Sequence, residues 1–577
     1  MTKNKTPKVK KELAKTDEVE IKPKNNFTIT VILSVVILFA YKHFVEKPKV
    51  EVVKKQQEKL LEEASAKDDL LKQDINSIFA DIERTGGSVK ISTDKIQGEI
   101  DLQGARLDDI TLSNYYTSVD KNEQVKLLRT GDTPYFVEHS WTSSDRSVVL
   151  PNIETIWSSD IDTITVDTPA TLSWDNGKGL TFKKIISIDK DYMFNIEQSV
   201  KNETGRSISI TPYTKIVKEN PKPDPKKKER VSQQGPIGAI AGLLEEISYR
   251  KMKKEEEAQF STDRGWFGLS DKFWLVGSIF EDNKNIEVKY EKINNHDVYE
   301  VMLEGDAQGL NNAETASSEN KMFIGAKELS LLDRYMTEHS ISQFDKAIDF
   351  GWYYFLTKPF YYILNFLGEM TKNFGLAILI FTIMLRIAMF PIANKSYASM
   401  MKMRNLQPKI KSLKEKYGTD KQKMQQKTME LYKKEQVSPM GGCLPMLLQI
   451  PIFFSLYKVL SISIEMRHAP FFGWIQDLSA ADPTNIFNLF GLINWNPPSL
   501  LMIGVWPLLM GITMFLQQKM NPKPDDKSQA IAFTMMPIVF TFMMARFSSG
   551  LVIYWTFSNT FAIGQQWFFK KTHGARK

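Results

Sequence analysis

The spacing of apolar and polar positions changes character along the chain. Phe27 to Val45 (FTITVILSVVILFAYKHFV) is a nearly unbroken apolar run, close to the roughly 20 residues a helix needs to cross a bilayer. No small-x-small cleavage pattern succeeds it, only Tyr41-Lys42-His43-Phe44, so it reads as an uncleaved signal anchor. Residues 46–80, with the run VKKQQEKLLEEASAKDDLLK, are charged and helix-prone and read as a stalk. From about Ser88 to Phe323 the runs shorten and alternate. VKISTDKIQGEIDL, DTITVDTPATLSW, KKIISIDKDYMFNIEQSV and SISITPYTKIV all read as strands with one wet face. Many such strands with no long apolar helix predict a β-sandwich filling residues 81–340. Two insertions interrupt it: Lys222 to Arg230 (KPDPKKKER) reads as a solvated loop, and Leu243 to Glu257 as a surface helix.

Beyond residue 340 the period lengthens. Phe344 to Leu356 places Ile348, Trp352 and Phe355 on one helical face and Asp345 and Asp349 on another, the pattern of an interfacial amphipathic helix. Pro359 to Leu367 is apolar but too short to cross. Five later runs are long enough: Phe374–Ile392, Gly441–Leu460, Leu500–Gln518, Ala530–Phe547 and Leu551–Phe569. Asn485 to Pro498 reads as an interfacial connection. Residues 394–440 predict a helical hairpin. Leu406, Ile410, Leu413 and Tyr417 follow 3-4 spacing, Gly418-Thr419-Asp420 makes a turn, and Met424, Thr428 and Leu431 continue on a second helix. The expected fold class is multi-domain: a polytopic α-helical membrane protein with six transmembrane helices, a large exported β-sandwich and a helical hairpin.

Charge sets the orientation. Residues 1–26 carry eight lysines against four acids, and Asn394 to Met440 carries twelve Lys/Arg against four acids. Ser461 to Ser499 has one such basic residue, Arg467, against three acids, whereas the tail after Phe569 (KKTHGARK) is basic. The positive-inside rule therefore puts the N-terminus, the hairpin and the tail in the cytosol and the sandwich outside. The net charge of +7 collects beside apolar segments, so no DNA-binding patch is expected. A single cysteine, Cys443, excludes an intrachain disulfide and a thiol-based metal site, and six scattered histidines give no metal-ligand spacing. No G-x-x-x-x-G-K-[ST] run occurs, and no cofactor is expected.

Arg386 is the one charge within Gly375 to Ile392. A guanidinium at that depth costs about 2.5–3.5 kcal/mol on insertion scales. It lies about 9 Å from the Ile392 end and about 18 Å from Phe374, so snorkelling to the nearer headgroups is the bland alternative. Thr382 shares its helical face. Gln449 in the third span, and Ser558, Asn559, Gln565 and Gln566 in the sixth, add polar groups. Taken singly, each of these fits an interhelical hydrogen bond worth about 0.6 kcal/mol. No Asp or Glu occurs in any of these spans, so the arginine needs water or a transient acidic guest, and together the groups point to a hydrated groove. Nineteen of the 25 methionines come after residue 340, among them Met384, Met389, Met446, Met510, Met514, Met535, Met536, Met543 and Met544. Flexible thioethers suit varied apolar guests, and lipid-facing filler is the other reading. The basic hairpin face, with Lys409, Lys411, Lys414 and Lys416, suits lipid headgroups or an RNA-rich partner.

The runs LQPKIKS (Leu406–Ser412), PMGGCLPMLLQ (Pro439–Gln449) with Pro451-Ile452-Phe453, and SGLVIYW (Ser549–Trp555) with Ser558-Asn559 resemble the YidC membrane-protein insertases. The matched order covers about residues 340–570. The signal anchor and large exported domain, with Gly265-Trp266, resemble the Gram-negative inner-membrane branch. Trp555 departs from the pattern, standing where better-known members have tyrosine beside Tyr554, and so does the extra Asn485–Pro498 connection.

The resemblance implies a five-helix insertase core, residues 341–577, around a groove open to the cytosol and lipid but closed toward the periplasm. It assigns Arg386 to attract a substrate's hydrophilic, often acidic, segment, with Thr382, Tyr554 and Trp555 along the path of the new span. Implied partners are nascent membrane proteins, the Sec translocon, the ribosome through the cytosolic loops and tail, and membrane lipids. It also implies a non-enzymatic role in the bacterial inner membrane. A secondary transporter would instead show an internal repeat and an acidic coupling residue. A membrane-anchored carbohydrate-active enzyme would need converging Glu and His groups, and the strand-rich stretch Ser88 to Phe323 has two histidines, His139 and His296.

Overall fold

The computed structural model describes residues 86–131, 133–220, 234–240, 242–255, 257–280, 285–293, 297–418, 420–437, 444–493, 495, 497–498, 501–521 and 527–574. The basic tail, the signal anchor, the stalk and the Lys222–Arg230 loop lie outside these residues, as do Cys443 and His296.

The alternating runs pair into two sheets, of eleven and nine strands. Alternation in sequence becomes alternation in burial: Leu180–Ile188 and Met193–Asn202 each bury about every second side chain. Tyr135–Thr142 is different. It lies within its sheet between Leu107–Tyr116 and Ile208–Glu219 and is buried on both faces up to its last residue, so no alternation announces it. The sheets are joined across the core by Tyr135 Oη donating to the Leu269 carbonyl (3.3 Å) and Gln198 Nε2 to the Ser140 carbonyl (3.3 Å). His139 is sealed in this core. Burial and the neighbouring Lys184 push its pKa down to about 3, so the ring is neutral near pH 7.

Leu243 to Glu257 is not one surface helix. Leu243–Glu246 is a strand that covers the fully buried Gly235–Ile240, and helix α1 is confined to Tyr249–Glu255. A buried strand with an open edge is satisfied by pairing, which outweighs the helical preference of the Leu-Glu run.

The sandwich is fastened to the helical half by helix α2 (Leu329–Glu338), which buries Leu329, Leu331, Leu332 and Tyr335. Tyr335 Oη donates to Asp189 (2.5 Å), and Arg334 pairs with Asp191. Lys95 bridges Asp191 (2.9 Å) and Glu328 (3.2 Å). The interfacial helix expected over Phe344–Leu356 does not form. Phe344–Ala347 is a single 3-10 turn, Gly351 takes a φ of 69°, and helix α3 runs from Tyr354 to Thr371. Phe344 is instead wedged edge-on against Trp266 and Phe323, with centroids at 5.2 and 5.4 Å. Tertiary burial overrides the local period here.

Helix α4 spans Phe374–Tyr417, α5 Lys421–Lys434, α6 Leu444–Ile462, α7 Val505–Met520, α8 Lys527–Met544 and α9 Ser549–Gly574. Asn373 caps α4 by accepting from the Leu376 N–H (3.0 Å). Residue 394 is no boundary: α4 runs unbroken through Pro391 and Pro408, so the first arm of the hairpin continues the preceding helix. Among the described residues, one helix, α4, is long and apolar enough to cross a membrane, and Leu447–Ile462 and Ala530–Met544 are shorter apolar stretches. Within the Asn485–Pro498 connection, Leu489–Gly491 forms a 3-10 turn.

Glu465 lies where α3 meets the segment after α6. The residue is half-buried with its Oε2 sealed from solvent; it accepts from Tyr361 Oη on α3, and Oε2 has no hydrogen-bond partner among the described residues. Burial, reinforced by Glu328, pushes its carboxyl up to about 7, against partial relief from the Tyr361 hydrogen bond. The folded state therefore holds the proton more tightly than the unfolded chain. The contribution is fully present below the ordinary carboxyl value of 4.5 and is lost as pH rises toward about 7. Glu465→Gln should stabilise the protein at pH 8 by on the order of 3 kcal/mol and change little near pH 4.5. Thermal unfolding of the purified chain at both pH values measures it; equal effects at both would refute the assignment.

Candidate functional site

Helix α9 has an apolar sequence interrupted by Tyr554, Ser558, Asn559, Gln565 and Gln566. Offsets of 4 and 7 return to the same face of a helix, so 554, 558 and 565 form one stripe and 559 and 566 its neighbour. The structure gives each position a different partner. Tyr554 Oη accepts from Gln449 Nε2 of α6 at 2.7 Å. Ser558 Oγ accepts from Arg386 of α4, at 3.1 Å from Nε and again from the terminal nitrogen. Asn559 donates to Thr513 of α7 (3.4 Å), Gln565 to Asn394 of α4 (3.1 Å), and Gln566 to Asn521 at the end of α7 (3.3 Å).

Arg386 and Ser558 meet for a geometric reason. Both α4 and α9 start at the end where residues 471–482 lie. Along its helix Arg386 is about 18 Å from Phe374, and Ser558 about 14 Å from Ser549. A helical side chain leans toward its own N-terminus, and that lean closes the gap of about one turn. Arg386 is half-buried and, among the described residues, makes no ion pair; the hydroxyl of Ser558 is its acceptor.

Of the expected groove residues, the structure brings Arg386 and Ser558 together, and Gln449 and Tyr554. Thr382 is fully buried and its hydroxyl donates to the Ile378 carbonyl (2.6 Å), so its polar atom serves its own helix. Trp555 is half-buried, edge-on to Phe453 of α6 at 4.8 Å and tilted against Phe540 of α8 at 6.0 Å. The methionines divide: Met384, Met535 and Met543 are exposed, whereas Met510 and Met544 are fully buried. Helix α9 packs along α7 and α4 and touches α6 sparingly, while α8 packs chiefly on α7. The sparse seam between α6 and α9 is the one that Gln449–Tyr554 and Phe453–Trp555 close.

The opposite end is shut by residues that sequence reasoning read as connection. The Ser549 and Gly550 N–H groups donate to the carbonyls of Ala480 (2.6 Å) and Leu478 (3.0 Å), capping the start of α9. A Cβ on Gly550 would stand 3.1 Å from Ile378, 3.2 Å from the Leu478 carbonyl and 3.4 Å from Leu460, so three elements converge on that glycine. Asp482 accepts from the Trp506 N–H (2.9 Å) at the start of α7, where the helix dipole favours an anion. The Ser-Gly pair before an apolar run was the available signal.

In the hairpin, Lys409 pairs with Glu435 at 2.7 Å, an exposed pair that contributes little. Lys411, Lys414 and Lys416 are exposed, and Lys416 lies over the Tyr417 ring at 5.6 Å. They are not brought near Arg386.

Residues 366–576 match the family described as 60Kd inner membrane protein, and residues 88–363 match the YidC periplasmic domain family. The chain is 46% identical over 504 residues to the membrane protein insertase YidC of Granulibacter bethesdensis, covering 85% of this chain and 87% of that one. It is 41% identical over 554 residues to the membrane protein insertase YidC of Rickettsia bellii, covering 95% and 98%. A solved structure of an active YidC insertase with its first transmembrane domain resolved is similar over 87% of this chain and 98% of that chain, at 18% identity and a TM-score of 0.34. Two family matches that together run from residue 88 to 576, and relatives 41–46% identical over most of their length, lead to one conclusion: the chain belongs to the YidC family of membrane protein insertases.

Proposed function

We propose that the chain inserts newly made proteins into the bacterial inner membrane along the seam between α6 and α9, with Arg386 receiving the polar part of each substrate. The observation that carries this reading is a guanidinium inside a helical bundle, bonded to the Ser558 hydroxyl and, among the described residues, in no ion pair. A guanidinium has five donors, and a carboxylate exceeds a hydroxyl as acceptor in a low-dielectric site. An acidic or polar tail of a substrate takes the place of Ser558, and the tail then has less apolar distance left to cross.

Six spans belong to this proposal: Phe27–Val45 and the five later runs, with residues 81–340 in the periplasm and 341–577 forming the core. The N-terminus, the hairpin and the basic tail lie in the cytosol, as their charge supports. The Asn485–Pro498 connection lies on the periplasmic side. Residues 478–482 close that end, so the substrate enters from the cytosol or the lipid. Passage along the seam parts the Gln449–Tyr554 hydrogen bond, about 0.6 kcal/mol, and the Phe453–Trp555 contact, about 0.5–1.5 kcal/mol. Both are small beside the partitioning of an apolar helix, in which each leucine-like residue contributes about 0.3–0.6 kcal/mol. No nucleotide is needed as a source of work. Nascent chains reach the hairpin from the ribosome, and the chain works alone or together with the Sec translocon.

Arg386→Ala should slow insertion of a substrate with an acidic exported tail about tenfold or more, the loss of roughly 1.4 kcal/mol in the rate-limiting step. Arg386→Lys should retain much of the rate, because charge matters more here than a bidentate fork. Changing the tail acids to Asn should shrink the difference between wild type and Arg386→Ala. Proteoliposomes with purified protein measure all three, and equal rates on the acidic tail for wild type and Arg386→Ala remove Arg386 from the mechanism.

Replacing Lys409, Lys411, Lys414 and Lys416 by Gln should reduce crosslinking to stalled ribosome–nascent chains several-fold at low salt. The thermal midpoint should hardly move, because the Lys409–Glu435 pair is exposed. Unchanged crosslinking would leave these charges a topological role alone.

A further inference from the structure

At the cytosolic ends of three helices lies a cavity of about 280 Å³. Helix α4 supplies Tyr397, Met400, Met401 and Arg404, α7 ends there at Met520, and α9 contributes Phe569 and Lys570. Its floor is apolar and firm: Ala393, Tyr397 and Phe569 form a buried cluster with Met400 and Met401 packed against it. Its rim carries two exposed cations, Arg404 and Lys570, and no Asp or Glu is among its described lining residues. Neither cation makes an ion pair among the described residues.

The depth of this cavity is set by α9. Lys570 stands about 32 Å along the helix from Ser549, the thickness of a hydrocarbon core of about 30 Å. Trp567 is exposed one turn before it, where an indole marks the headgroup level. Both cations belong to helices that run toward the cytosol, so both side chains lean back toward the membrane. An apolar slot at headgroup depth, under two cations with no acid among its described lining residues, has the chemistry of one kind of ligand.

We propose that this cavity is a binding site for an anionic glycerophospholipid, with its phosphate between Arg404 and Lys570 and the first methylenes of an acyl chain on Met400, Met401 and Phe569. The bound lipid ties the three cytosolic helix ends together where α4 leaves the membrane toward the hairpin. This inference rests on the cytosolic placement of these ends. It is independent of the role of Arg386, because its test reads lipid retention and not insertion.

Native mass spectrometry of the full purified chain in mild detergent, with equimolar dioleoyl phosphatidylglycerol and phosphatidylethanolamine, provides the test. The wild type should retain phosphatidylglycerol about tenfold or more over phosphatidylethanolamine. Each of Arg404→Gln and Lys570→Gln should weaken that retention about fivefold, and the double variant should erase most of the preference. Lys423→Gln with Lys433→Gln, an equal charge change on α5, should leave it intact. Three outcomes overturn the proposal. One is equal retention of the two lipids by wild type, which is decisive even if the variants fail to fold. Another is an equal loss in the α5 control, which reduces the effect to net charge. The third is displacement of the lipid by millimolar glycerol 3-phosphate, which makes the site a free-phosphate site.

Discussion

A cation held in an apolar bundle by a hydroxyl, with no carboxylate partner among the described residues, is the constraint around which the helical half is arranged. A paired arginine would be electrostatically finished; Arg386 on Ser558 is not. The bundle accommodates it by giving α9 a polar stripe whose every member reaches a different neighbour. Gln449, Asn394, Thr513 and Asn521 are all bound to that one helix. Helix α9 therefore serves as hub, and the polar groups that make it a poor lipid-facing helix are what order the others around it. Each bond is weak in a membrane, about 0.6 kcal/mol on average. Five weak bonds to three helices define an arrangement without locking it.

The exported half answers to a different rule. Its strands are held by two buried sheet faces, and its attachment to the helices is made of polar pairs and ring contacts spread over distant parts of the chain. Trp266 donates to the Ser342 carbonyl at 3.2 Å, Lys327 to the Ala347 carbonyl at 3.1 Å, and Lys358 pairs with Asp333 and Asp345 at 2.9 and 2.7 Å. Arg467 lies over Trp274 at 5.6 Å. Such a joint adds many directional contacts to the buried apolar face of α2 and the ring of Phe344.

What was legible in the sequence was whatever contradicts its surroundings. Arg386 and Gln449 stand out because a charge or an amide in an apolar run has a cost that must be met by a partner. Strands with one wet face were legible for the same reason, by alternation. Tyr135–Thr142 was not, because burial on both faces removes the alternation. The segment after Phe344 was misread because its apolar residues satisfy a helical period, yet Trp266 and Phe323, 78 and 21 residues earlier, claim Phe344, and Gly351 at φ 69° ends any helix there. Thr382 was found as a position, but its hydroxyl turned back to Ile378, a choice that spacing does not encode. Glu465 and Tyr361 carry no signal at all, since 104 residues separate them.

The continuity of α4 has a mechanical consequence. Forty-four residues of helix make a rod about 66 Å long, with Arg386 in one part and the tip of the hairpin at Tyr417 in the other. Pro391 and Pro408 lie inside it, each removing one link of its hydrogen-bond ladder. Tyr397, held against Phe569, stands about 30 Å from the tip and about 16 Å from Arg386. A molecule that touches the hairpin therefore touches the same helix that carries the arginine, more than about 40 Å along the rod, with no loop between them.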